Sequence, residues 1–233
     1  MSHLGMFAKY WQAGRVKTRL AVELGEQLAA DLYLVFLQHL MTNLQQCCDR
    51  RTLVFSPVET GGQFQSKFGD TWAYRAQSEG DLGDRLADFL RWSASQTEGG
   101  GKVLLIGSDT PHLAPSLIVQ AEQRLDHSPV VLGPSQDGGY YLLGLDLPSL
   151  PPGLDLFAEM PWSTDQVWEE TVKRLDRHEL PYGRLPALLD VDDGEDLKEL
   201  LRELDQSSDP EEHRLREALN ATLSGSRLGG QIE

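Results

Sequence analysis

Apolar positions divide the chain into strands that alternate with helices. Residues 103–106 are four consecutive aliphatic side chains, a run that is typical of a central strand buried on both faces. Apolar residues that recur every four positions from Leu20 to Leu44 predict a long helix, interrupted at Gly25. Similar patterns predict further strands at residues 4–8, 51–56, 72–76, 129–133, 140–145 and 187–191. Further helices are predicted at residues 81–95, 115–125, 164–176, 195–204 and 210–223, and residues 61–70 are expected to form a loop with about one helical turn.

The alternation of strands and helices predicts the fold class. It indicates an α/β fold, in which a mainly parallel Rossmann-type sheet carries helices on both faces. The chain of 233 residues has the length of one such domain, which we place over residues 1–223. The Gly- and Ser-rich residues 224–233 are predicted to be a disordered tail.

Composition excludes several classes of protein. No apolar run approaches the ~20 residues needed to cross a bilayer, and the N-terminus lacks the pattern of a signal peptide. The only two cysteines, Cys47 and Cys48, are adjacent, so they offer neither a disulfide framework nor the spacing of a zinc site. We therefore expect a protein of the reducing cytoplasm.

The charge is strongly acidic but unevenly distributed. A net charge of −15 argues against nucleic acid and anionic membranes as partners. The first 21 residues nevertheless contain Lys9, Arg15, Lys17 and Arg19 and no acidic residue. A cationic segment in an acidic protein predicts a small anion as ligand, and the alternative is a solvated basic turn.

The basic segment continues into a loop between a predicted strand and a predicted helix. Gly14 allows the backbone to approach a ligand closely, and the following helix start offers free N–H groups. Arg15, Lys17 and Arg19 add charged donors for phosphate oxygens. The single glycine does not match the GxxxxGK[ST] loop, so the pattern predicts phosphate binding without naming a nucleotide.

Carboxylates at the ends of two predicted strands indicate a metal site. Asp109 follows the buried strand at the edge where α/β sheets bind ligands, although a helix cap or an Asx-turn is the alternative. Asp190 and Asp192 share one face of the last predicted strand, where like charges repel unless a cation lies beside them. Together the three carboxylates form an oxygen-only set suited to Mg²⁺ or Mn²⁺.

Three further motifs are candidates for substrate contacts. Gln77, Gly80, Asp81 and Gly83 open a helix and predict a pocket for a base edge or a ribose, although Asp81 is also a good helix cap. The residues Asp137, Gly138, Gly139 and Tyr140 are either substrate-binding residues or a hairpin turn. Trp162 is either a pocket residue or a hydrophobic staple, and the spacing of Ser163 and Gln166 predicts a capping box.

These motifs occur in an order that resembles a known family. The order is FAK at residues 7–9, GRVKTRL at 14–20, GDLGDR at 80–85, GSDTP at 107–111, DGGYY at 137–141, PWST at 161–164 and DVD at 190–192. Over residues 4–204 the chain resembles the bacterial GT-A-type transferases known as selenodomain-associated or glycosyltransferase-like proteins. The resemblance implies the fold of the nucleotide-diphospho-sugar transferases.

The resemblance also implies roles for individual residues. It places phosphates on Lys17 and Arg19 and a metal ion on Asp109 and, from the late motif, Asp192. Two departures are evident: residues 10–14 replace the family's Pro-x-Pro-Gly, and Asp193-Gly194-Glu195-Asp196 replaces its Thr-Pro-Glu-Asp.

The residues and the resemblance together predict a metal-dependent transferase. Its partners would be a nucleotide or nucleotide-sugar donor and a small-molecule acceptor, with Lys17, Asp109 and Asp137 as catalytic residues and Glu159 as a second candidate base. The first alternative is a nucleotidyltransferase that joins a nucleoside triphosphate to a phosphorylated small molecule and releases pyrophosphate. The second is a nucleotide-binding module without turnover.

Overall fold

The computed structural model describes residues 1–96 and 100–229, with side chains up to Gly225. Within these residues one seven-stranded sheet is flanked by eight α-helices. The strands are β1 (Ser2–Lys9), β2 (Arg50–Ser56), β3 (Ala73–Ala76), β4 (Lys102–Ile106), β5 (Val130–Pro134), β6 (Tyr140–Asp146) and β7 (Tyr182–Arg184). The helices are α1 (Thr18–Leu24), α2 (Glu26–Asn43), α3 (Gly61–Phe68), α4 (Leu82–Ser95), α5 (Pro115–Arg124), α6 (Val167–Arg177), α7 (Gly194–Gln206) and α8 (Pro210–Gly229).

The strand order is β3-β2-β1-β4-β6-β5-β7. Strands β1 to β4 run parallel, β6 runs antiparallel to both β4 and β5, and β7 runs parallel to β5. The predicted α/β class with a mainly parallel sheet is therefore confirmed.

Strand β4 is buried on both faces, as its aliphatic run predicts. Leu104 and Ile106 belong to the core beneath α2, whereas Val103 and Leu105 belong to the core on the other face of the sheet. All four side chains are at most 3% exposed. This strand fixes the centre of the sheet, and Asp109 follows directly at its carboxyl end.

Several predicted elements are placed differently. Residues 61–68 are the helix α3 and not a loop, because Phe64 and Phe68, one turn apart, pack on Trp11. Residues 187–191 form no strand, since only Leu188 bridges to Ser135 after Pro186. Helix α6 begins at Val167 and not at residue 164.

The first six residues of the predicted tail, 224–229, belong to a helix. Helix α8 continues through Ser224 to Gly229, and its earlier turns bury Leu215 and Leu219 against the core. Residues 230–233 of the predicted tail lie outside the described residues, as does Gly99, the first of three consecutive glycines that we expect to link α4 to β4. Among the described helices, none is long and apolar enough to cross a membrane.

Candidate active site

A cleft of about 770 Å³ opens at the carboxyl ends of the parallel strands. The loop after β1, Gln77 after β3 and Asp109 after β4 reach it from that edge, and the β5–β6 turn reaches it from the other side. Eleven of the predicted site residues line it: Arg15, Lys17, Arg19, Gln77, Asp109, Asp137, Gly139, Tyr140, Trp162, Asp190 and Asp192. The other five, Gly14, Gly80, Asp81, Gly83 and Gly138, are not among the residues that line it.

Lys17 provides a buried positive charge in this cleft. Its side chain is only 3% exposed, and its ammonium forms ion pairs with Asp109 and, at 3.1 Å, with Asp192. Burial by itself lowers the pKa of Lys17, but the two carboxylates outweigh burial, so that the pKa is raised above its ordinary value. The ammonium also lies 6.0 Å from the ring centroid of Tyr33 and 5.8 Å from that of Phe36.

Backbone contacts hold the two carboxylate segments beside each other. The amide of Val191 donates to the carbonyl of Asp109 at 2.8 Å, and the amide of Leu20 donates to the carbonyl of Asp192 at 3.1 Å. Although residues 187–191 are not a strand, these bonds bring Asp192 to Asp109. The loop that carries Lys17, the end of β4 and the start of α7 thus form one unit.

Glu23, three residues after Leu20 on α1, also contacts this unit. Its carboxylate accepts a hydrogen bond of 3.2 Å from the amide of Gly194, the first residue of α7. A Cβ atom at position 194 would overlap that carboxylate, which explains why glycine stands there. Asp193 caps α7 through a capping box with Asp196, so the unusual late motif is a well-formed helix start.

Asp190 has a different environment from the other two predicted metal ligands. Its carboxylate accepts a hydrogen bond from the hydroxyl of Thr110. Burial, with a smaller contribution from Asp109 and Asp137, raises the pKa of Asp190 to about 7. Within the described residues, no group of three or more His, Cys, Asp or Glu side chains is arranged to hold a metal ion. The predicted three-carboxylate grouping is therefore not formed, because Asp190 is turned to Thr110.

The remaining pair of carboxylates fits a divalent cation that is shared with a ligand. Asp109 and Asp192 already converge on one cationic group, and their side chains are 47% and 42% exposed towards the cleft. Mg²⁺ typically takes one or two protein carboxylates and completes its shell with water and substrate phosphates. The donor set therefore suits Mg²⁺ or Mn²⁺ once phosphate oxygens are present.

The loop that departs from the family pattern is well anchored. The Trp11 ring lies edge-on to Phe64, with centroids 5.1 Å apart, and to Phe68 at 5.6 Å. Gly14 adopts a positive φ of 73°, and a Cβ there would lie 3.0 Å from the carboxylate of Glu26. These contacts take the place of the missing prolines and direct Arg15 and Lys17 into the cleft.

The start of α4 supports the cleft mainly through structural contacts. The amide of Gln77 donates to the carbonyls of Ala8 and Val54, at 3.2 and 2.9 Å, and its oxygen accepts from Arg85 at 3.1 Å. Gln77 thus has hydrogen-bond partners of its own, and a base-edge contact by its side chain would have to compete with them. Asp81 caps α4 through a capping box with Asp84, as the alternative interpretation had it.

The glycines beside that helix shape the wall. Gly80 has a positive φ of 103° at the turn, and Gly83 leaves room for Trp162, whose Nε1 would lie 3.0 Å from a Cβ at position 83. Gly83 and Trp162 thus pack together at one side of the cleft.

The β5–β6 turn also lines the cleft. The Asp137 carboxylate accepts hydrogen bonds from the Gly139 amide at 3.0 Å and from the Ser135 hydroxyl. Gly138 has a positive φ of 90°, and a Cβ there would overlap the backbone of Asp165. The turn is therefore both a hairpin connection and part of the cleft.

Two predictions for the segment before α6 need correction. Ser163 has a positive φ of 63° and does not cap α6, whose N-cap is Gln166 without a side-chain cap. Glu159 is exposed and does not line the cleft, so the structure does not bring this candidate base to the site.

Sequence reasoning did not single out Tyr33, Leu82, Arg85 and Asp165 as cleft residues. The Tyr33 hydroxyl is bonded to the Ser108 hydroxyl at 2.7 Å and accepts from the Lys9 amide at 3.0 Å. Burial raises the pKa of Tyr33 to about 12. Tyr33 lies one position after Leu32 of the apolar stripe in α2. Leu82 and Arg85 belong to a motif in which other residues were predicted to bind the ligand, and Asp165 directly follows such a motif. No local signal marked any of the four.

Comparison with known proteins places the chain in a family. Residues 36–164 match the model of DUF2064, a family described as uncharacterized proteins conserved in bacteria. The chain belongs to this family. No curated protein matches it.

Solved structures show the same fold. The structure of a candidate nucleotide-diphospho-sugar transferase from Desulfovibrio desulfuricans G20 is 31% identical, with a TM-score of 0.84 over 96% of this chain and 97% of that one. The 4-diphosphocytidyl-2C-methyl-D-erythritol synthase of Anaerococcus prevotii DSM 20548 is 11% identical, with a TM-score of 0.56 over 88% and 96% of the two chains. A cytidylyltransferase from Leptospira borgpetersenii serovar Hardjo-bovis is 14% identical, with a TM-score of 0.53 over 96% and 95%. This chain therefore has the fold of nucleotide-utilising transferases.

Proposed function

We propose that the protein is a transferase that uses a nucleotide-activated donor and a divalent metal ion, with glycosyl transfer from a nucleotide sugar as the leading candidate. The observation that carries the proposal is the Lys17 ammonium, buried between Asp109 and Asp192 at the floor of the cleft. A fully buried cation with two half-exposed carboxylates is expensive to maintain unless a ligand uses it.

Different residues of the cleft would bind different parts of the donor. Arg15 and Arg19 are exposed at the rim of the cleft and would bind the outer diphosphate oxygens. Asp109 and Asp192 would hold Mg²⁺ or Mn²⁺, which when bound neutralises the diphosphate as it leaves. Lys17 would then exchange one carboxylate partner for a phosphate oxygen and remain paired throughout.

The transfer itself exchanges one bond at the sugar. The acceptor oxygen forms a bond to the anomeric carbon, and the bond from that carbon to the diphosphate oxygen breaks, with the electron pair leaving on the diphosphate. The acceptor proton passes to a base, for which Asp137 is the candidate, because it is an exposed carboxylate that lines the cleft.

Nucleotidyl transfer is the second candidate. Of the structures with this fold, one is a cytidylyltransferase and another is a diphosphocytidyl synthase. In that reaction a phosphorylated acceptor attacks the α-phosphate of a nucleoside triphosphate, and pyrophosphate leaves. The products separate the two candidates, because glycosyl transfer releases a nucleoside diphosphate.

The test is a panel of nucleotide sugars and nucleoside triphosphates, each with and without Mn²⁺, read by thermal unfolding and then by product analysis. A ligand at about 100 times its Kd should add about 2.7 kcal/mol, or roughly 5–10 °C at this chain length. Lys17→Ala should lose the shift, and Lys173→Ala, a surface lysine on α6, serves as the matched control. If no nucleotide raises the unfolding temperature of the wild-type protein, the proposed function is wrong.

A further inference from the structure

Cations and carboxylates both line the cleft. The cations that line it are Lys9, Arg15, Lys17, Arg19 and Arg85, and the carboxylates that line it are Asp109, Asp137, Asp165, Asp190 and Asp192. The carboxylates form two groups. Asp109 and Asp192 are partners of Lys17, whereas Asp137 and Asp165 meet at the β5–β6 turn, where a Cβ on Gly138 would overlap the Asp165 backbone.

The other cations lie around the loop after β1 and the ends of β1 and β2, and of these Arg19 pairs with Asp192 at 3.8 Å. Lys17 is matched by Asp109 and Asp192. The Arg85 guanidinium is held by the Gly80 carbonyl and by the Gln77 side chain, whose amide bonds to the ends of β1 and β2. We call Lys9, Arg15, Arg19 and Arg85 the basic wall.

The other side has no such cation. We call Leu82, Asp137, Tyr140, Trp162 and Asp165 the acceptor wall; its two carboxylates are exposed, and none of its members is a lysine or arginine. An ionised carboxylate can only accept hydrogen bonds. A ligand part that lies here must therefore bring donors, which hydroxyl groups and amines supply, and a phosphate group would meet like charge.

The acceptor wall also presents carbon surface. The Nε1 atom of Trp162 is buried beside Gly83 without a hydrogen-bond partner, so the part of the indole that reaches the cleft is carbon. The Tyr140 hydroxyl is buried as well, and Leu82 is 41% exposed. Flat carbon surface next to carboxylates suits a ring that carries hydroxyl groups on its edge and C–H groups on its face.

We propose that the acceptor is an unphosphorylated, uncharged or cationic molecule with a hydroxylated ring, of the sugar or amino-sugar class. This inference rests on the proposed function, because it assigns the basic wall to the donor. It also favours glycosyl transfer to a hydroxyl or amine over nucleotidyl transfer to a phosphorylated acceptor.

The test compares two probes that differ only in one phosphate group, D-glucosamine and D-glucosamine 6-phosphate. Each is titrated into protein carrying ¹⁵N-labelled tryptophan, both free and loaded with Mn²⁺ and the nucleotide of largest thermal shift. The indole resonance of Trp162, assigned with Trp162→Phe, reports binding at the acceptor wall. We expect it to respond to D-glucosamine at a concentration at least about fivefold lower than to the phosphorylated probe.

A single charge change sharpens the comparison. Asp165→Lys, at an exposed position, should reverse the preference towards D-glucosamine 6-phosphate and leave the nucleotide-induced thermal shift unchanged. Equal or tighter binding of the phosphorylated probe by the wild-type protein, or no response of Trp162 to either probe, would overturn the proposal. Failure of nucleotide loading would instead count against the proposed function, and the titration of the free protein still decides the acceptor class.

Discussion

The two sides of the cleft are built in different ways. The donor side depends on contacts between residues far apart in the chain, such as Lys17 with Asp192 and Glu23 with Gly194, which are 175 and 171 residues apart. The acceptor side depends on local turns, in which Asp137 bonds to Ser135 and Gly139, and Thr164 bonds to Pro161. A network that ties several elements together holds its groups in fixed positions, whereas a local turn changes without disturbing the fold.

From this difference we expect the two sides to have different roles. In the proposed reaction, charge stabilisation of the leaving diphosphate needs groups that are already in place, and the donor side would supply them. Selection of an acceptor depends on the shape and charge of a surface, which the acceptor side would supply on exposed turns. Substitutions on the donor side should therefore affect both turnover and folding, and those on the acceptor side should affect turnover alone.

The largest effect is expected at Asp109. Asp109→Asn keeps the side-chain shape but removes a partner of Lys17 and a proposed metal ligand, so turnover with the best donor should fall by about 10² or more. Asp126→Asn is the matched control, because Asp126 is an exposed acid paired with Lys102. Steady-state rates would be measured for both; a loss of less than threefold for Asp109→Asn would count against the assigned role.

The next effect is expected where α1 meets α7. Gly194→Ala places a methyl group against the Glu23 carboxylate and should cost about 1–3 kcal/mol of unfolding free energy in urea titrations. It should also weaken nucleotide binding, because Asp192 lies two residues before the glycine. Gly62→Ala, where no atom lies within 4 Å of the added carbon, is the control.

The double variant Glu23→Ala, Gly194→Ala shows whether the lost stability of Gly194→Ala comes from the steric overlap with Glu23 or from the loss of the glycine itself. Removal of the carboxylate makes room for the methyl group, so the double variant should be more stable than Gly194→Ala alone. Equal stability of the two would show that the Glu23 contact does not connect α1 to α7.

A smaller effect is expected at Trp162. Trp162→Leu removes carbon surface from the acceptor wall and should raise the acceptor KM by about tenfold, which corresponds to about 1.4 kcal/mol. The donor KM should change little. An equal rise of both constants would show that the two sides of the cleft are not independent.

The smallest effect is expected at Asp165. Asp165→Asn removes one exposed charge and should change acceptor affinity by about two- to threefold, with no loss of unfolding free energy. Calorimetric titration of the acceptor and a urea titration would measure the two quantities. A marked loss of stability would place Asp165 in the structural framework rather than on a binding surface.

Local sequence patterns predicted much of the fold. The aliphatic run of β4 and the leucine stripe of α1 and α2 require burial on their own, so these elements could be located without tertiary information. Helix α3 could not be located in this way, because Phe64 and Phe68 pack against Trp11, which is distant in the sequence. The segment at 187–191 has a strand-like pattern, but only one residue of it meets a neighbouring strand.

The sequence allowed us to predict many of the residues that belong to the candidate site, but not most of the contacts that they make. The positions of Lys17, Asp109 and Asp192 at one cleft follow from the ends of adjacent elements. That Gln77 would bond to two strand carbonyls and that Asp190 would turn to Thr110 depends on distances that no spacing reveals. Asp81 satisfied both a binding and a capping interpretation, and the structure shows the cap.

The most direct measurement of the central claim is Mn²⁺ binding followed by electron paramagnetic resonance, with and without a nucleoside diphosphate. We expect Mn²⁺ to bind tightly only when the diphosphate is present, and binding to be lost in Asp109→Asn and Asp192→Asn. Mn²⁺ binding that is indifferent to the diphosphate, or that survives both substitutions, would contradict a donor site built around Lys17, Asp109 and Asp192.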